Sequence, residues 1–163
     1  MTTKTQMSVL FVCTGNICRS PTAEGVVRKL ANDAGRGSEF KLDSAGTHDF
    51  HTGSPPDARA QQHALRRGYD LSDQRARQIR GSDFTDFDLI LAMDRENLTI
   101  LERVCPPEHK DKLRLFMSCA RQPDEEVPDP YVGGEQGFED VLDMVEDAAR
   151  GLLRDLRPDS QSS

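Results

Sequence analysis

No stretch of this 163-residue sequence approaches the roughly 20 consecutive apolar residues that a bilayer-spanning helix requires, so a membrane anchor is not expected. The opening Thr3-Lys4-Thr5-Gln6 lacks the apolar core of a secretion signal, which leads us to expect a cytoplasmic protein. Positive charge is also in short supply. Against 28 Asp and Glu stand 21 Lys and Arg, a formal net charge of −7. That balance argues against nucleic acid or an anionic membrane surface as the main partner. Only four cysteines occur (Cys13, Cys18, Cys105 and Cys119), without the two close pairs of an all-cysteine zinc site. No metal and no cofactor are expected, and the thiols are read as reduced. Neither an internal repeat nor a low-complexity block is visible. The length suits one domain over residues 1–157 with a substantial core, followed by a disordered tail at 158–163. Nothing demands more than a monomer.

What is present alternates in period. The apolar run from Val9 to Val12 suits a strand buried on both faces. Residues 22–34 repeat Ala23, Val26, Val27, Leu30 and Ala34 at helical spacing, and Gly35 and Gly37 end the pattern. A short strand is predicted at 41–44, a loop at 46–56, a helix at 57–67 and a shorter helix at 72–79. Leu89-Ile90-Leu91-Ala92-Met93 reads as a buried central strand, with Asp94 capping the helix after it. A last strand at 113–116 and a long loop lead to a final helix striped with Phe138, Val141, Leu142, Val145, Ala149, Leu152 and Leu156. Strands alternating with helices imply an α/β fold: an open, twisted parallel sheet of about four strands with helices on both faces. In such sheets ligands lie beyond the carboxyl ends of the strands.

At one such end stands Cys13-Thr14-Gly15-Asn16-Ile17-Cys18-Arg19-Ser20-Pro21. Ser20 is a favoured N-cap and Pro21 a favoured first helical residue, so the helix dipole and its first amides point back at the loop. Successive backbone N–H groups in such a turn converge on an anion, making a phosphate-binding loop at the C-terminal end of the first strand. Arg19 adds a planar fork able to grip two oxygens. The same positive field favours Cys13 as a thiolate nucleophile. Asn16 tolerates the left-handed backbone that the tight turn requires.

A Cys-x5-Arg spacing alone is weak, but the whole string resembles the signature of the low-molecular-weight protein tyrosine phosphatases. The resemblance extends, in order, through Asp43-Ser44-Ala45-Gly46-Thr47, Ala76-Arg77-Gln78-Ile79, Met93-Asp94 and Asp129-Pro130-Tyr131. It implies a phosphomonoesterase acting on phosphotyrosine-containing proteins through a phosphocysteine intermediate. Cys13 would be the nucleophile, and amides from Thr14, Gly15, Asn16, Ile17, Cys18 and Arg19, with the Arg19 guanidinium, would hold the phosphoryl oxygens. On spacing alone Asp129 is either a leaving-group acid or an ordinary turn aspartate before proline; the resemblance assigns it the acid and base role. It also implies that Ser20 and Ser44 brace Asn16, and that Cys18 can pair reversibly with Cys13 under oxidation. Phe50 and Tyr131 are the expected aromatic walls of the substrate pocket, whereas His48 and His51 read as loop residues. Two departures from the family stand out. Gln74 occupies a bracing position often held by histidine, and Val132 replaces a second aromatic.

Other readings of the same cradle are weaker. Arginine-phosphate phosphatases resemble this signature but carry threonine where this chain has Ile17. Arsenate reductases need two further cysteines after the Arg-Gln-Ile region, and residues 81–93 contain none. A non-catalytic phosphocysteine carrier has no use for Asp129.

Overall fold

A computed structural model of the protein describes residues 6–121, 126–130 and 134–156. The tail expected at 158–163 lies outside them. Four strands, β1 (Met7–Cys13), β2 (Phe40–Gly46), β3 (Leu89–Ala92) and β4 (Leu113–Leu115), form one all-parallel sheet in the order β2-β1-β3-β4. The apolar run forms the middle of β1, where Val9, Leu10, Phe11 and Val12 are fully buried. Its side chains alternate between two cores. Val9 and Phe11 face a layer made by α1 (Arg19–Asp33), α2 (Ala58–Arg66) and α5 (Gly134–Asp155), with Val26, Val27, Ala64, Val145 and Leu152 packed against them. Leu10 and Val12 face the other layer, where Phe84 of α3 (Asp83–Asp86) and Leu101 of α4 (Arg95–Val104) close the sheet. Full burial of such a side chain contributes about 1.5–3 kcal/mol. The Phe11 and Phe116 rings meet edge to face at 5.4 Å.

The connections place the site. β1 ends at Cys13, and its register carries it level with Gly46 of β2, so the turns after both strands emerge together. Thr47 N–H donates to the Cys13 carbonyl at 2.8 Å and His48 N–H to the Thr14 carbonyl at 3.0 Å, stitching those turns to each other. Asp94 caps α4 as expected, accepting from the Asn97 amide at 2.7 Å.

Two local expectations fail. Residues 72–79 are not a helix: Gly46 N–H donates to the Arg77 carbonyl and Ile79 N–H to the Gly46 carbonyl, both at 2.8 Å, forming an isolated parallel bridge. The backbone groups a helix would pair internally are taken by the end of β2. The Arg77 guanidinium anchors the segment between Asp43 (3.1 Å) and the buried Asp83 (3.0 Å). Nor does Ser20 cap α1. The helix starts two residues earlier, at Arg19 after Cys18, with no side-chain cap, because the loop runs directly into it and the Ser20 hydroxyl is used elsewhere.

Gly151 marks the closest approach in the packing of α5, since a Cβ there would collide with the Cys119 carbonyl. Exchanging glycine for alanine inside a helix ordinarily gains about 1 kcal/mol. Gly151→Ala is expected instead to lose about 1–3 kcal/mol through overpacking, read as a lower urea midpoint. An unchanged or higher midpoint would show that α5 can slide away.

Candidate active site

The cradle is built around one amide side chain. Asn16 adopts φ 59°, the left-handed conformation expected of it, and this turns its side chain inward. The Arg77 backbone N–H donates to Asn16 Oδ1 at 2.9 Å, which fixes the amide orientation. Asn16 Nδ2 then donates to Ser20 Oγ and to Ser44 Oγ, each at 2.9 Å. Each serine, having accepted, keeps its one proton for an onward bond. Ser44 donates to Gln74 Oε1 at 3.3 Å, and Gln74 Nε2 in turn donates to the Pro21 carbonyl at 2.9 Å. Ser20 Oγ lies 3.0 Å from Cys13 Sγ and 3.5 Å from the Ala45 carbonyl. The Asn16 backbone N–H donates to the same sulfur at 3.3 Å. Two polar groups therefore meet the Cys13 sulfur. Gln74 fills the bracing position with an amide whose polarity fits the chain.

Cys13 lies at the floor of an open pocket of about 150 Å³, with its residue only 2% exposed. Thr14, Gly15, Ile17, Cys18 and Arg19 line it together with Asp129 and Pro130. The Arg19 fork is itself anchored. Nη1 donates to Asp94 Oδ2 at 2.7 Å and to the Val127 carbonyl at 3.1 Å, and Nη2 reaches Thr14 Oγ1 at 3.4 Å. Burial works against the Arg19 charge, but the neighbouring Cys13 sulfur and the Asp94 carboxylate outweigh it and raise its pKa. Val127 N–H donates to the Met93 carbonyl at 2.8 Å, so the segment carrying Asp129 is tied to the end of β3.

Of the residues singled out in the sequence, Cys13, Thr14, Gly15, Ile17, Cys18, Arg19, Phe50 and Asp129 meet at this pocket, with Asn16, Ser20 and Ser44 directly behind it. Phe50 is 69% exposed and stacks on His48 at 4.9 Å. Tyr131 and Val132 lie outside the described residues. His51, set aside as a loop residue, lines the pocket, with its Cδ2 3.0 Å from where a Gly15 Cβ would stand. Asp94 and Asn97 were missed as site residues. Asp94 gives one oxygen to the α4 cap and the other to Arg19, and Asn97 Nδ2 donates to Thr14 Oγ1 at 3.1 Å. Only the first of these contacts is a local pattern that a sequence can display. All four cysteines are free thiols, and among the described residues no group of three or more His, Cys, Asp or Glu could hold a metal.

The brace can be separated from the backbone conformation it occupies. Asn16→Ala loses both and is expected to cost about 1–3 kcal/mol of stability and at least tenfold in vanadate affinity. Asn16→Gly relieves the positive φ and should recover stability but not vanadate binding, measured by calorimetric titration. Full recovery by glycine would show that the brace contributes nothing.

The comparisons with known proteins agree with this geometry. The family model described as low molecular weight phosphotyrosine protein phosphatase matches residues 8–162. A low molecular weight protein-tyrosine-phosphatase of Streptomyces coelicolor is 46% identical over 153 residues, covering 91% of this chain and 93% of that one. The crystal structure of a protein tyrosine phosphatase from Entamoeba histolytica with Hepes in its active site superposes with a TM-score of 0.87 at 41% identity, covering 91% of this chain and 96% of that one. YfkJ from Bacillus subtilis superposes with a TM-score of 0.88 at 37% identity, covering 96% of this chain and 98% of that one. With the signature loop, the all-parallel sheet and matches over nine-tenths of its length, this chain belongs to the low molecular weight phosphotyrosine protein phosphatase family.

Proposed function

We propose that the protein hydrolyses phosphotyrosine in protein substrates through a phosphocysteine intermediate. The observation that carries this reading is the Cys13 sulfur, 3.0 Å from Ser20 Oγ and accepting from the Asn16 N–H, at the floor of a pocket that Arg19 and Asp129 share. As a thiolate, Cys13 attacks phosphorus and forms an S–P bond while the P–O bond to the tyrosyl ring breaks. Asp129, protonated, donates its proton to the departing phenolic oxygen. Amides from Thr14 through Arg19, with the Arg19 fork, hold the equatorial oxygens where charge is spread in the transition state. Water then attacks phosphorus, the Asp129 carboxylate takes its proton, and the S–P bond breaks to release inorganic phosphate. The Ser20 hydroxyl helps the sulfur depart, because a donor aimed at a leaving thiolate lowers the cost of its charge.

Arg19 and the loop amides supply the positive field that a metal would otherwise provide, so the reaction calls for no cofactor. Phe50 and Tyr131 are proposed to flank the tyrosyl ring, and apolar Ile17 suits an aryl ester better than a phosphoguanidinium. Cys18, buried and lining the same pocket, is the proposed resolving thiol if Cys13 is oxidised. The proposal extends to a single-domain monomer working in the cytoplasm.

Two substitutions test the assignments. Cys13→Ser should abolish turnover of p-nitrophenyl phosphate while retaining binding of an oxyanion; residual turnover within about tenfold of wild type would remove Cys13 as nucleophile. Asp129→Asn should lower kcat/KM for phenyl phosphate, a poor leaving group, by about 10²–10³, and for p-nitrophenyl phosphate by about tenfold or less. Equal losses would remove Asp129 as the acid. Activity should survive chelators, and loss to chelation with recovery on adding zinc would contradict the metal-free mechanism.

A further inference from the structure

The acid loop rests on the first turns of α5. Gly137 passes so close to the Pro130 carbonyl that a Cβ would collide with it. Its neighbour Phe138 is buried against Ile17 and Cys18 of the cradle and Ala60 of α2. Phe138, Pro130 and Cys18 together leave a void of only about 10 Å³. The residue after Asp129, the outer wall of the cradle and the start of α5 are thus packed directly on one another. A displacement of the helix would have no slack to absorb it.

One side chain ties these turns of α5 to α2. His63, 3% exposed, stacks its ring on Phe138 with centroids 5.3 Å apart and planes within 6°. Its Nδ1 meets Glu139, and its Nε2 faces Glu135 at 3.6 Å. The Phe138 ring also carries the Arg59 guanidinium at 5.1 Å, and Arg67 holds Glu139 (2.6 Å), Asp143 (3.0 Å) and Glu146 (2.9 Å) along the helix. His63 takes no part in the chemistry outlined above, yet it shares the void behind the active-site loop with Pro130 and Cys18.

We propose that His63 is a positioning residue for Asp129. By holding Phe138 and the Glu135–Glu139 turn, it fixes the surface on which Pro130 rests, and so fixes where the Asp129 carboxyl meets the leaving oxygen. The proposal rests on Asp129 being the leaving-group acid. A catalytic group displaced by 1 Å loses on the order of 10²-fold, so a modest relaxation of the helix has a measurable effect. A histidine that merely filled the core would affect both substrates alike.

The test is a double-mutant cycle in the intact protein, reading kcat/KM, which reports the first chemical step. Phenyl and p-nitrophenyl phosphate are compared in wild type, His63→Gln, Asp129→Asn and the double variant. His63→Gln is expected to lower kcat/KM for phenyl phosphate by about 5–20-fold and for p-nitrophenyl phosphate by about twofold or less. In the Asp129→Asn background it should have no further effect on either substrate. Equal losses for the two substrates, or multiplying losses in the double variant, would overturn the positioning role while leaving Asp129 in place. If Asp129→Asn itself fails to discriminate between the substrates, the acid assignment falls and this proposal falls with it. Should His63→Gln not fold by near-ultraviolet circular dichroism, His63→Leu, which fills the volume but gives up both the stack and the carboxylate contacts, takes its place with the same expected and overturning outcomes.

Discussion

Everything at the site depends on the direction of the hydrogen bonds around Asn16. One backbone N–H, from Arg77, sets the side-chain carbonyl, and the amide hydrogens then dictate which way two serine hydroxyls point. Reversing any member would present lone pair to lone pair, at a cost of about 1–3 kcal/mol for each buried group left unmet. The network is what holds the Ser20 hydroxyl within 3.0 Å of the Cys13 sulfur. The left-handed backbone at Asn16 is tolerated because so many surrounding groups over-determine it.

A second constraint is shared anchoring. Asp94 ends the loop after β3 and begins α4, and the same carboxylate secures the Arg19 fork. Arg77 joins β2 to the segment before α3 and also presents the amide that orients Asn16. Groups that hold the fold therefore hold the cradle as well. The cationic Arg19 fork is thereby held in place at the pocket of a body whose net charge is −7. The positive groups are few but fixed in direction, and fixed donors act more strongly on a bound anion than mobile surface lysines would.

Much of this could be read from the residues. The run Val9 to Val12, the small residues after it and the Cys13 to Arg19 spacing foretold a buried strand emptying into a tight turn that gathers Cys13 and Arg19, and β1 and its turn have that form. Asn16 announced its own backbone conformation. The misses share one cause. The segment at 72–79 has a local pattern compatible with a helix, but its backbone groups pair with Gly46, a partner some thirty residues away that no local pattern reveals. Ser20 next to Pro21 looks like a cap, yet its hydroxyl is drawn to Asn16 and Cys13 by the three-dimensional turn. His51 likewise reaches the pocket only because Gly15 leaves room for its ring. Local chemistry was legible; long-range competition for the same donor was not.

Val127 joins parts of the site that could otherwise shift separately. Its carbonyl accepts from Arg19 and its N–H donates to the Met93 carbonyl, two residues before Asp129. The guanidinium and the end of β3 thus share one footing with the segment that carries the Asp129 carboxyl, so none of the three can be re-sited alone.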